Sequence, residues 1–261
     1  MSPPPPSLRW AVLSDPGLRR SSNEDCYCTR GDIGLYLVAD GMGGHVAGEV
    51  ASRVAVDAIQ AFIEETAGAD KNRTWPFPFD PAISFDANRI KAAFRMANRR
   101  LASTITESED LRGMATTASA LLAGTGSACV AHVGDSRVYV LRDGRLSQIT
   151  HDHSWVEEQV RAGTMSPTAA RQHPWRNVVT RALSGGEDPG VDVTELDLLA
   201  GERFLLCSDG LFSVVADAEI TRILADGSRS LAEACRLLID AANRAGGPDN
   251  ITAVVLEVDD P

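Results

Sequence analysis

The chain has 261 residues, 44% of them hydrophobic and 23% charged, and carries a formal net charge of −11. A chain this long buries roughly 70–75% of the surface its unfolded form exposes, so wholesale disorder is excluded and one large domain or two small ones fit. The acidic balance excludes a general nucleic-acid binder, which needs a basic surface, but admits a phosphate held by one arginine and bound cations inside an acidic cleft.

Residues 1–7 are mostly proline and read as a stiff polyproline II tail without the apolar core of a secretory signal. No apolar run approaches the ~20 residues of a membrane helix, so the expectation is a cytoplasmic protein that does not enter membranes. Strand-like patterns occupy 10–13 and 34–39, each running into an acidic or glycine-rich turn. Over 46–63, Val50, Ala51, Val54, Ala55, Ala58, Ile59, Phe62 and Ile63 recur at helical spacing. Residues 66–81 interrupt with Gly68, Pro76, Pro78 and Pro81. Within them, Trp75-Pro-Phe-Pro-Phe79 either docks a partner or folds back over the helices.

A second helix is predicted over 86–105, with Ile90, Ala93, Phe94, Ala97 and Leu101 on one face and Asp86 as its N-cap. Short strands follow at 116–123, 127–133, 137–141 and 145–149. Gly124-Thr-Gly126, Gly134-Asp135 and Asp143-Gly144 separate them, and the last is a hairpin signal. Residues 154–173 are helical but irregular and polar. Strands at 191–198 and 204–207, helices at 217–225 and 231–242, and a strand at 251–258 complete the pattern.

Strands and helices therefore come in blocks rather than in strict alternation. That favours an α+β domain with antiparallel sheets over a doubly wound parallel sheet. With no internal repeat or second boundary, the reading is a tail over 1–7 and a single domain over 8–261, monomeric, with an insertion at about 154–186. The five cysteines (Cys26, Cys28, Cys129, Cys207 and Cys235) include no C-x-x-C pair and read as small buried hydrophobes of a reducing compartment.

The placement of acids carries most information. Asp40 follows a strand and opens Asp40-Gly-Met-Gly-Gly44; Asp135, Asp209 and Asp249 sit in Gly134-Asp-Ser-Arg137, Ser208-Asp-Gly210 and Pro248-Asp-Asn250. Glu24 and Asp25 sit beside the second strand pattern, at 34–39. Carboxylates crowded at one sheet edge repel one another unless a cation lies between them, and oxygen donors suit magnesium or manganese. Glycines let the backbone approach, so the Gly41 carbonyl is a further donor.

These segments, with Arg20-Ser-Ser-Asn-Glu-Asp25 before them and Leu146-Ser-Gln-Ile-Thr-His-Asp-His-Ser154 between them, resemble the successive motifs of the type 2C, metal-dependent (PPM) protein serine/threonine phosphatases in their compact bacterial form. The resemblance spans about 10–258. It implies two antiparallel sheets packed as a sandwich, with a helix pair on each outer face. It also implies two Mn2+ or Mg2+ ions, with a third, weaker one. Asp40 would bridge the first two, Gly41 would give its carbonyl to one, and Asp209 and Asp249 would hold the other. Asp135, sharing Asp209, would hold the third. Glu24 and Asp25 would act through water.

Arg20 matches the phosphate-binding arginine, whose fork spans two oxygens. The implied reaction is hydrolysis of phosphoserine and phosphothreonine in proteins by direct attack of a metal-bridging hydroxide. No cysteine stands in a C-x5-R loop, which agrees with hydrolysis without a phosphoenzyme. The implied partners are phosphoproteins, including a bacterial Ser/Thr kinase and its substrates.

One departure is Met42, which stands where some relatives carry a histidine assigned as the acid for the leaving group. His45, three residues on, is read as a surface residue. His153 is read as structural, ahead of pairing with His151 on a metal; His132 is read as packed within its strand and His173 as a loop residue. The insertion matches a flap beside the metal site, where Trp155, Trp175 and Arg176 either touch substrate or pack the loop. A non-catalytic phosphoprotein-binding module is the alternative. It predicts lost ligands, whereas Asp40, Asp135, Asp209 and Asp249 are all present. The motif series and acidic surface speak against a two-metal nuclease or small-molecule phosphatase.

Overall fold

The computed structural model describes residues 8–43, 46–68 and 75–259. The proline tail, Gly44, His45 and part of the 66–81 segment lie outside the described residues. Strands β1 (Leu8–Asp15), β2 (Asp25–Arg30) and β3 (Leu35–Met42) lead into helices α1 (Val46–Glu65) and α2 (Phe85–Glu107). Strands β4 (Ala115–Thr116), β5 (Ala118–Ala123), β6 (Ser127–Val133), β7 (Arg137–Arg142) and β8 (Arg145–Gln148) follow. Short helices α3 (Trp155–Arg161) and α4 (Pro167–Gln172) precede β9 (Asp192–Asp197) and β10 (Arg203–Cys207). Helices α5 (Asp209–Phe212), α6 (Asp217–Leu224) and α7 (Leu231–Arg244) precede the last strand, β11 (Ile251–Val258).

All strand pairs are antiparallel. One sheet runs β1-β11-β10-β7-β8 and the other β2-β3-β5-β6-β9, with β4 added to β3. Alternation along each strand builds the layers. On β3, Tyr36 and Val38 meet Phe204, Leu206, Val254 and Leu256 of the other sheet, while Leu35 and Leu37 face Ile59, Ile90 and Phe94 of α1 and α2. On the opposite side, Leu205 and Val255 pack beneath Ile220 of α6 and Leu238 and Ile239 of α7. Central strands are therefore apolar on both faces and read as continuous runs. Each such buried side chain contributes about 1.5–3 kcal/mol relative to exposure. The expected sandwich with helices on both outer faces is what forms.

Local chemistry explains where the elements end. The α2 N-cap is Ser84, whose hydroxyl accepts from the Ala87 amide at 3.1 Å. Asp86, expected as the cap, instead lies in the first turn and pairs with Arg89 at 2.8 Å. The irregular 154–173 stretch resolves into two helices. Gly163, at φ 72, ends α3, and Ser166 caps α4 with Pro167 in its first turn. Strand β2 escaped the sequence reading because this edge strand has no clean alternation in Asp-Cys-Tyr-Cys-Thr-Arg.

The Trp75–Phe79 stretch folds back. Trp75 packs edge-on to Phe85 at 5.3 Å and against Phe62 at 6.1 Å, and Arg99 of α2 lies 4.0 Å over the Phe77 ring. All five cysteines are free thiols, and only Cys26 is not fully buried. Among the described residues no helix is long and apolar enough to cross a membrane.

Candidate active site

Sheet register gathers the acids. On the β2–β3 ladder Asp25 stands directly opposite Asp40, an arrangement of like charges that disfavours the sheet unless something compensates. Asp209 follows β10 and Asp249 precedes β11; these two strands are neighbours. Asp135 occupies the turn that carries the chain from β6 in one sheet to β7 in the other. All five therefore reach one end of the sandwich.

Two glycines permit this convergence. A Cβ on Gly41 would lie 2.0 Å from the Gly48 carbonyl oxygen of α1, and one on Gly210 would lie 2.0 Å from the Asn250 carbonyl oxygen. The first lets α1 settle against the end of β3; the second lets the Asp209 turn settle against the Asp249 turn.

The resulting cleft, of about 510 Å3, is lined by every residue nominated from the sequence except Asp25. Asp25 is buried. Its Oδ2 accepts hydrogen bonds from Ser208 Oγ and Thr252 Oγ1, both at 2.7 Å. Asp40 is anchored through its backbone, its amide donating to Thr117 Oγ1 at 3.0 Å and its carbonyl accepting from Thr116 Oγ1 at 2.8 Å. Arg20 Nη2 donates to Asp249 Oδ2 at 2.7 Å.

Asn250 ties the Arg20 loop to the last strand. Its Oδ1 accepts from the Glu24 amide at 2.8 Å, and its Nδ2 donates to the carbonyls of Ser22 (2.8 Å) and Pro16 (3.0 Å). Sequence reasoning named none of Asn250, Ser208 and Thr252 as site residues. Only Asn250 and Ser208 carried a signal, because each adjoins a nominated aspartate.

The carboxyl groups resist ionisation. Burial, opposed by the two hydroxyl donors, pushes Asp25 up to about 7. Burial, reinforced by Asp209, pushes Asp135 up to about 8. Burial and then the Asp249 charge push Asp209 up to about 6, with Arg20 opposing. Asp40 is raised well above the usual carboxylate range by burial and by Asp25, Asp209, Asp135 and Asp249 around it. Such a set is stabilised by a cation.

The donor set fits a hard divalent ion. Asp25 Oδ1 and Asp209 Oδ1 are buried carboxylate oxygens without a hydrogen-bond partner, and the cleft's described lining is rich in oxygen donors with no histidine or cysteine. Among the described residues no group of three or more acid, histidine or cysteine side chains is arranged to hold a metal ion by itself.

The described histidines take no part in this cluster. His153 is buried; its Nδ1 accepts from the Gly134 amide at 3.2 Å, so Nε2 carries the proton and donates to Asp192 Oδ2 at 3.0 Å. The His132 ring lies 4.8 Å from it. Its Nε2 donates to the His151 carbonyl at 3.1 Å, and burial pushes its pKa down to about 3, keeping it neutral. In the flap, Trp155 packs against His173 and Trp175, with ring centroids 4.8 and 4.9 Å away, whereas Trp175 itself is 55% exposed. Asn177, not nominated from sequence, joins the cleft lining.

Comparison with known proteins places this arrangement. The family model for protein phosphatase 2C matches residues 20–242. The serine/threonine protein phosphatase PstP of Mycobacterium tuberculosis is 40% identical over 254 residues, covering 97% of this chain and 45% of that protein. The chain thus spans about half the length of that curated relative. The serine/threonine phosphatase stp of Listeria welshimeri is 35% identical over 250 residues, covering 94% of this chain and 93% of that one. The catalytic domain of a serine/threonine protein phosphatase PstP, solved in complex with two manganese ions, superposes with a TM-score of 0.82 at 38% identity, covering 98% of this chain and 100% of that one. The motif order and the sandwich agree with these likenesses, and the chain belongs to the protein phosphatase 2C family.

Proposed function

We propose that this chain hydrolyses phosphoserine and phosphothreonine in proteins with the help of bound manganese or magnesium. The observation that carries the reading is the meeting of the partly buried Asp40 and Asp209 with Asp249 and Arg20 in one cleft. Asp40, the Gly41 carbonyl, Asp209 and Asp249 would hold two such ions, and Asp135 with Asp209 would hold a third, weaker one. Glu24 and Asp25 order the surrounding water.

Bound divalent ions supply a lowered pKa for water and neutralise charge on the phosphoryl group. The chain's own residues do the rest. Arg20 holds phosphate oxygens with its fork, and its pairing with Asp249 sets the guanidinium at the cleft. Ser208 and Thr252 fix Asp25 by donating to one of its oxygens, leaving the other for the water shell. Met42 lines the cleft where some relatives carry a histidine. The leaving alkoxide then takes its proton from water or from another group of the cleft.

Residues 8–261 act as a single catalytic domain with a flap at about 154–186. The protein works as a cytoplasmic monomer and opposes a Ser/Thr kinase on shared phosphoprotein substrates. The names of the bacterial relatives support the serine/threonine phosphatase reading. The test is release of phosphate from a phosphothreonine peptide with and without manganese, in wild type and Asp209→Asn. Manganese-dependent release that the variant loses is expected. No release by folded, manganese-saturated wild type would refute the reading.

A further inference from the structure

A second cleft, of about 650 Å3, adjoins the carboxylate site and shares Asp135, Asp209 and Asn177 with it. This volume lies within the range of roughly 300–1,000 Å3 that holds ligands, enough for a few residues of extended chain. Val160 and Ala170, from α3 and α4 of the flap, form one wall, and Phe212, Val214 and Val215 form the other.

Arg137 in its lining is fully engaged. It grips Asp152 with two nitrogens at 2.9 and 2.7 Å, donates to Tyr139 Oη at 2.8 Å, and stacks 3.7 Å over the Phe212 ring. Arg171 and Arg176 differ. Both are exposed at the cleft, and among the described residues neither has an ion-pair partner. In a chain of net charge −11 these two cations mark a local preference for anions. Asp135, Asp152, Glu157, Asp209 and Asp217 also line the cleft, so the preference for anions is confined to the side that carries Arg171 and Arg176.

We propose that this cleft takes the segment of a phosphoprotein substrate on one side of the phosphorylated residue, seating an aliphatic side chain between the flap and the turn after α5 and an acidic side chain at Arg171 and Arg176. The inference rests on the proposed phosphatase activity, because continuity with that site is what directs a substrate chain into the cleft. The occupant is a substrate rather than a separate ligand, since Asp135 and Asp209 belong to both clefts.

The test uses the full chain with manganese and a panel of phosphothreonine peptides. They carry Val and Glu, Val and Lys, or Ser and Glu two to four residues from the phosphothreonine, on either side. p-Nitrophenyl phosphate, too small to reach the cleft, is the reference. Wild type should prefer Glu over Lys roughly fivefold through KM, the scale of exposed ion pairs. It should prefer Val over Ser about tenfold. Both preferences should hold on one side of the phosphothreonine only.

The double variant Arg171→Glu, Arg176→Glu should abolish or reverse the charge preference while p-nitrophenyl phosphate turnover stays unchanged. Equal kcat/KM across the panel, with all peptides hydrolysed, would overturn the cleft assignment and leave the phosphatase reading standing. If nothing is hydrolysed, the phosphatase reading falls, and fluorescence anisotropy of the labelled peptides decides the cleft. The same rank order in affinity would retain it, and a flat order would overturn it.

Discussion

Replacing Asp209 with asparagine should stabilise the metal-free chain at alkaline pH and abolish much of its response to manganese. Asp209 Oδ1 is buried without a partner, and burial and then the Asp249 charge lift the carboxyl from 3.8 to about 6. Its value in the folded chain lies above that in the unfolded chain, so the native state holds the proton more tightly. The stabilisation is complete below about pH 4 and is lost as pH rises through about 6. From 3.8 to about 6, at about 1.4 kcal/mol per pH unit, ionisation costs the metal-free fold about 3 kcal/mol at pH 8. In a chain of this size that is about 6–12 °C in Tm.

Asparagine keeps the shape and removes the charge. Calorimetry in EDTA should therefore find the variant more stable than wild type at pH 8, with the gap closing toward pH 4. Manganese at 100 times its Kd should add about 2.7 kcal/mol to wild type and much less to the variant. A variant no more stable than wild type in EDTA at pH 8, or one with an undiminished manganese response, would refute the reasoning.

Arg20→Ala should lower kcat/KM for p-nitrophenyl phosphate roughly 10–100-fold, the scale of a lost charge-assisted hydrogen bond, in steady-state assays. Gly210→Ala places a methyl group 2.0 Å from the Asn250 carbonyl oxygen and should cost about 1–3 kcal/mol in urea unfolding, with activity falling as the Asp209 and Asp249 turns separate. His153→Ala leaves the buried Gly134 amide unpaired and should cost about 1–3 kcal/mol by the same measurement, whereas His153→Asn keeps an acceptor and should recover part of the loss.

Much of this protein was legible in one dimension because the relevant signals are local. Helical spacing from Val50 to Ile63 specified α1, and the acids at strand ends beside glycines marked the cleft before any contact was known. What the linear pattern left open lay in packing across long sequence separations. The Ser84 cap won over Asp86 because its hydroxyl meets the Ala87 amide. The Trp75 stretch turned inward because Phe62 and Phe85 offered an apolar face to cover.

The amino-acid sequence by itself determined the α+β blocks and the membership of Asp40, Asp135, Asp209 and Asp249 in one recurring motif series. Only the tertiary structure decided that Ser208 and Thr252 restrain Asp25, that Arg20 meets Asp249, and that a second cleft opens beneath the flap. Periodicity and turn chemistry act over a few residues, whereas Arg20 and Asp249 stand 229 positions apart. They meet only once β1, β11 and β10 are paired in register and the sandwich end is closed.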